Sequence, residues 1–159
     1  MPNWCENRVT FYSENSDDIK KIKEIFESKR PFHQIIPEPN WIKIPASENL
    51  KDSAGNPVAK KGELPIESND RFTGLQWPSS GRQDDRWYGW RLRNWDVKWD
   101  LNRDHIEYLD DDDDELFKLT FDTPWSPPEQ ICESLRNRFE NVEITWFFDE
   151  PSEQIAGYL

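Results

Sequence analysis

Apolar and polar positions alternate near the start of the chain. In "NRVTFY" (7–12), Asn7, Val9 and Phe11 point one way and Arg8, Thr10 and Tyr12 the other, which predicts a strand with one buried face. The period then changes. Through "SDDIKKIKEIFESKRP", Ile19, Ile22, Ile25 and Phe26 recur at helical spacing, with acids in the first turn, Lys29 and Arg30 in the last, and Pro31 as a stop. Further on, Trp95, Val97, Trp99 and Leu101 alternate with Asp96, Lys98, Asp100 and Asn102, which predicts a second strand with both indoles in the core. Phe117, Leu119 and Phe121 predict a third strand, and Val142, Ile144, Trp146 and Phe148 a fourth. Between these last two, "SPPEQICESLRNRFEN" carries a helix-start pattern, with Ser126 as cap, Pro127 in the first turn and Glu129 three residues on. Ile131, Cys132, Leu135 and Phe139 form its apolar face.

The order strand, helix, strand, strand, helix, strand predicts an α+β, ferredoxin-like β-α-β-β-α-β fold. Its four-stranded antiparallel sheet carries both helices on one face. Residues 1–159 then form a single domain, interrupted by an irregular insertion at about 31–93. There Pro31, Pro37, Pro39, Pro45, Pro57, Pro65 and Pro78, with Gly55, Gly62, Gly74 and Gly81, break up the pattern, and only "FHQII" (32–36) and "WIKI" (41–44), both bounded by proline, look strand-like.

Composition sharpens this picture. Charged residues make up 33% and apolar ones 35%, a balance that alone suggests disorder, but 14% aromatic residues supply large core side chains. The formal net charge is −12, which repels nucleic acid and anionic membrane and favours a partner with a basic surface. No apolar run approaches the length of a membrane span. Cys5 and Cys132 stand far apart, without metal-ligand spacing, and are expected as reduced, packed thiols.

The candidate chemistry is sparse. His33 and His105 lie in unrelated contexts, and there is no phosphate-cradling glycine loop, so no catalytic residue, metal or cofactor is assigned. Two stretches qualify as binding sites. Asp110, Asp111, Asp112, Asp113, Asp114 and Glu115 are predicted in the loop of a hairpin, because like charges side by side are costly within a sheet. A calcium loop needs ligands spaced around a glycine turn, which this run lacks. Carboxylates displayed in this way imitate a phosphate backbone and fit the basic groove of a nucleic-acid-binding protein. The alternative site is Trp87, Trp90, Arg91 and Arg93, whose indoles could stack bases while the arginines grip phosphate. Packing of Trp on Arg explains that cluster more simply.

"MPNWCENRVTF", "IIPEP", "WRLRNWDVKWD", "FDTPWSPP" and the closing "AGYL" together resemble the YubB-type ferredoxin-like family of phages, prophages and plasmids. The resemblance spans nearly the whole chain and carries little over residues 47–86. It implies a ferredoxin-like fold and a setting in the cytoplasm of a bacterial host, with no activity to carry over. One departure stands out: Asp96 occupies a position where such relatives commonly carry glycine. The expected function is that of a non-catalytic phage or plasmid accessory protein, an acidic nucleic-acid mimic that inhibits a basic host defence or DNA-processing protein. The rivals are a nucleic-acid-binding module built on the Trp/Arg cluster and an enzyme with a site in the insertion.

Overall fold

The structure, a computed structural model, describes residues 2–69, 74–109 and 113–159. Its elements run β1 (Trp4–Tyr12), α1 (Ser16–Phe26), α2 (Pro31–Ile35), β2 (Leu50–Lys51), β3 (Pro57–Ala59), β4 (Ile66–Glu67), β5 (Leu75–Gln76), α3 (Arg86–Trp95), β6 (Glu107–Leu109), β7 (Leu116–Pro124), α4 (Glu129–Arg138), β8 (Glu143–Glu150) and β9 (Ile155–Tyr158). They divide into two compact units, Met1–Pro37 with Arg91–Leu159, and Glu38–Trp90.

The first unit holds an antiparallel sheet in the order β6-β7-β1-β8-β9. Without β9 this is the strand order of a split β-α-β fold, so the ferredoxin-like architecture and the antiparallel pairing hold. The alternation in β1 is strict, with Cys5, Asn7, Val9 and Phe11 buried. α1 starts where Asn15 accepts a hydrogen bond from the Asp17 amide at 3.1 Å and buries Ile19, Ile22, Ile25 and Phe26. Phe26 packs against Phe11, Phe117 and Phe121 with ring centroids 5.7 to 6.4 Å apart, and Phe32 of α2 meets Trp95 and Phe121. The core is therefore aromatic, which is how a chain so rich in charge folds.

One buried polar network joins three strands. The Asn7 amide donates to the Cys5 carbonyl at 3.0 Å and to the Thr123 hydroxyl at 2.9 Å, while its oxygen accepts from the Trp146 indole at 3.0 Å. Cys5 and Cys132 are free, buried thiols, and burial pushes each up to about 11.

Several expectations are corrected. The main sheet has five strands rather than four, because "QIAGYL" adds β9 beside β8, and there are four helices rather than two among the described residues. Residues 95–101 are not a strand: Trp95 ends α3, and the sheet position beside β7 belongs to Glu107–Leu109. Trp95, Val97 and Leu101 are buried as alternation predicts, but Trp99 is only half-buried. The physical cause is Asp96, whose backbone sits at φ +63°, a left-handed conformation outside the range of regular strand geometry. Nor does Ser126 cap α4, which begins after Pro128. Its hydroxyl donates instead to the Asp96 carbonyl at 2.9 Å, while the Asp96 carboxylate accepts the Gln130 amide at 2.8 Å and so caps α4 from outside the helix.

The second unit contains the pairs β2–β3 and β4–β5 around a small core of Ala46, Ala59 and Trp77. Its organising side chain is Arg86. The guanidinium lies over the Trp41 and Trp77 rings at 5.2 and 4.7 Å, pairs with buried Asp84 at 2.9 Å, and donates to the Ile44 carbonyl at 2.7 Å.

Candidate partner-binding site

The face of the sheet opposite the aromatic core carries the outward positions of β1: Trp4, Glu6, Arg8, Thr10 and Tyr12. Strand register decides what lies beside them. Glu6 stands opposite Asp122 of β7 on one flank and Asp149 of β8 on the other, so three carboxylates form one row across three strands. Like charges directly opposite in a sheet are destabilising, and Arg8 offsets part of the cost: it pairs with Glu6 at 2.5 Å and also lies within electrostatic reach of Asp149. The Asp122 and Asp149 carboxylates accept no hydrogen bond among the described residues. Burial, with Glu6 next in effect, holds the Asp122 carboxyl above the usual carboxylate range, while His105 acts in the opposite direction. The following row is Thr120, Arg8, Phe147 and Tyr158, with the Arg8 guanidinium 5.7 Å from the Phe147 ring centre.

The carboxylate row ends at a cleft of about 290 Å³. Trp4 and Trp99 form its aromatic wall, with ring centroids 6.2 Å apart and planes tilted by 38°, while Asp100, His105, Ile106, Asp122 and Pro124 contribute to the rest. The two aspartates differ sharply. Asp100 is committed to structure: it accepts the Phe32 and His33 amides at 2.8 and 3.0 Å, capping α2, and burial raises its pKa despite those bonds. Asp122 has no such duty. Beside the cleft, Trp125 is 54% exposed yet holds φ +74°, a conformation unfavourable for so bulky a residue. Its amide donates to the Asn3 carbonyl at 2.9 Å.

The sites read from the sequence are distributed as follows. Asp110, Asp111 and Asp112 lie outside the described residues. Asp113, Asp114 and Glu115 are exposed at the end of the hairpin joining β6 to β7. There Asp113 accepts the Glu115 amide at 2.9 Å, and the Glu115 carbonyl accepts the Ser13 amide at 3.0 Å. Trp87, Trp90, Arg91 and Arg93 all lie on α3, a helix. Trp87 is buried and meets Tyr88 edge-on, Trp90 is half-buried, and Arg93 is exposed. Arg91 stacks on Trp95 at 5.2 Å and donates to the Lys98 carbonyl at 3.3 Å. The sequence reading did not single out Glu6, Asp122, Asp149, Trp4 or Trp99 as a site. The outward parity of the three acids was a usable signal; their adjacency depends on register between strands more than a hundred residues apart.

No group of side chains with the makings of a metal site occurs among the described residues, and none of their helices is long and apolar enough to cross a membrane. Residues 94–159 match the family model for the ferredoxin-like domain in Api92-like protein. Among solved structures, the chain is similar to the crystal structure of a protein Api92 from Yersinia pseudotuberculosis, at 12% identity and a TM-score of 0.57, over 99% of this chain and 93% of that one. At that identity the likeness concerns the fold alone. No curated relative matches the chain.

Proposed function

We propose that this protein is a non-catalytic binding module whose acidic surface engages a protein partner with a basic surface. The observation that carries the reading is the row Asp122–Glu6–Asp149, a cross-strand line of carboxylates that costs the fold stability and in which, among the described residues, only Glu6 forms an ion pair. Residues that lower stability without a structural return are the mark of a functional surface. The exposed hairpin acids Asp113, Asp114 and Glu115, and the net charge of −12, extend the same field. The likeness to the YubB-type family supports a setting among accessory proteins of phages and plasmids in a bacterial cytoplasm. In that setting, a host defence or DNA-processing protein with a nucleic-acid groove has the complementary charge.

The test is capture from bacterial lysate by the immobilised chain, at low and high salt. Three forms are compared: the native chain, the variant carrying Glu6→Gln, Asp122→Asn and Asp149→Asn, and a variant with the aspartates at 110–114 changed to Asn. The native chain is expected to retain a basic partner that is released by salt and lost from the acid-row variant. A partner that resists salt and is kept by both variants contradicts the reading. Direct retention of single-stranded DNA or RNA would favour the module built on Trp87, Trp90, Arg91 and Arg93 instead.

A further inference from the structure

We infer that the Trp4–Trp99 cleft is a receptor for the guanidinium of one arginine side chain presented by a basic protein partner, an inference that rests on the binding function proposed above. The cleft volume, about 290 Å³, lies at the bottom of the range of ligand pockets, so it admits a side chain rather than a folded element. Its wall suits a cation. The Trp99 ring already carries one, with the Lys98 ammonium 4.0 Å from the ring centre. Trp4 is 45% exposed, and among the described residues no cation lies over it.

The charge partner stands in the same cleft. Asp122 offers a carboxylate that accepts no hydrogen bond among the described residues. Two carboxylate oxygens in the same cleft as the indoles match a planar, forked guanidinium better than an ammonium, because arginine stacks on aromatic rings while donating in bidentate fashion to a carboxylate. Phosphate-bearing ligands are repelled by Asp122 and by Glu6 next to it. Trp125, which follows Pro124 of the cleft lining in the chain, is exposed and holds a left-handed backbone.

The test uses the full chain and a peptide with one arginine between capped glycines, followed by the indole N–H signals of Trp4 and Trp99 in a nuclear magnetic resonance titration. Peptides with citrulline or lysine in place of arginine are the comparisons. The arginine peptide is expected to shift both indole signals, lysine to do so more weakly, and citrulline to leave them unchanged. Asp122→Asn, which removes no packing, should weaken arginine binding roughly tenfold, the loss of one charged hydrogen-bonding partner. Trp4→Ala should weaken it comparably, and its melting curve shows whether that variant is folded. No shift at millimolar arginine peptide, or an equal shift in Asp122→Asn, overturns the inference. If the single-arginine peptide fails while a basic partner is still captured in a salt-sensitive way, the cleft assignment falls and the binding function stands. If neither is retained, both fall.

Discussion

Asp96 shows how much one side chain decides in this fold. It holds a left-handed backbone, takes the Ser126 hydroxyl on its carbonyl, and caps α4 through its carboxylate. A glycine adopts that backbone freely but cannot cap, whereas an alanine can do neither. Asp96→Ala is therefore expected to destabilise by about 2 kcal/mol, the sum of a lost cap and an unfavourable left-handed alanine. Asp96→Gly should cost about 1 kcal/mol or less, and urea unfolding of the two variants gives the order. An alanine variant at least as stable as the glycine one would refute this account of the residue. At Asp122 the prediction concerns pH. Burial and Glu6 hold its folded pKa above the unfolded value, so protonation favours the folded state. That contribution is complete below the unfolded carboxylate range and is lost as pH rises through the raised folded pKa, above which the ionised group opposes folding. Asp122→Asn should accordingly raise the thermal midpoint at neutral pH, with the gain vanishing in acid below the carboxylate range. A midpoint lowered at neutral pH would mean that Asp122 stabilises the fold, and the case for a functional carboxylate row would weaken.

Among the elements, β1, α1, β7 and β8 were legible because each carries an uninterrupted period and a clear boundary, such as Pro31 after α1. The stretch 86–101 was not. Trp95, Val97 and Leu101 are buried at alternate positions, yet one ends a helix and the others follow the left-handed turn at Asp96. Burial at three of the four alternate positions therefore arose without any strand. The short β6 was overlooked because three residues carry too little periodicity to register. The open sheet face was legible by parity and the carboxylate row was not, since pairing Glu6 with Asp122 requires the register of the folded sheet. The same elements separate two tryptophans that alternation equates. Trp95 is fully buried, donates from its indole to the Ile36 carbonyl at 3.0 Å and packs on Phe32; Trp99 is half-buried on the cleft wall. Trp95→Ala should cost about 3–5 kcal/mol, and Trp99→Ala clearly less, about 1–2 kcal/mol, when both are measured by chemical denaturation. Equal costs would return Trp99 to the core.

At the scale of the whole molecule, a −12 charge is solubilising wherever it lies, so its placement carries the functional argument rather than its size. One sheet face is closed by an aromatic core. The other leaves Trp4 exposed and the Asp122 and Asp149 carboxylates with no hydrogen bond or ion pair among the described residues, beside a cleft with room for one side chain. The ferredoxin-like frame explains how residues from β1, β7 and β8 meet in one row, and it is silent on function, since this fold hosts many. The central claim is that the acidic sheet face is where a basic partner docks. The most direct measurement is amide hydrogen exchange of the full chain, free and bound to the partner it captures, mapped residue by residue. The account predicts new protection along Trp4–Arg8, Thr120–Trp125 and Phe147–Asp149, extending toward Asp113–Glu115, with α1 and α4 unchanged. Protection confined to α1, α4 or α3, with the carboxylate row exchanging as freely as in the unbound protein, would contradict it.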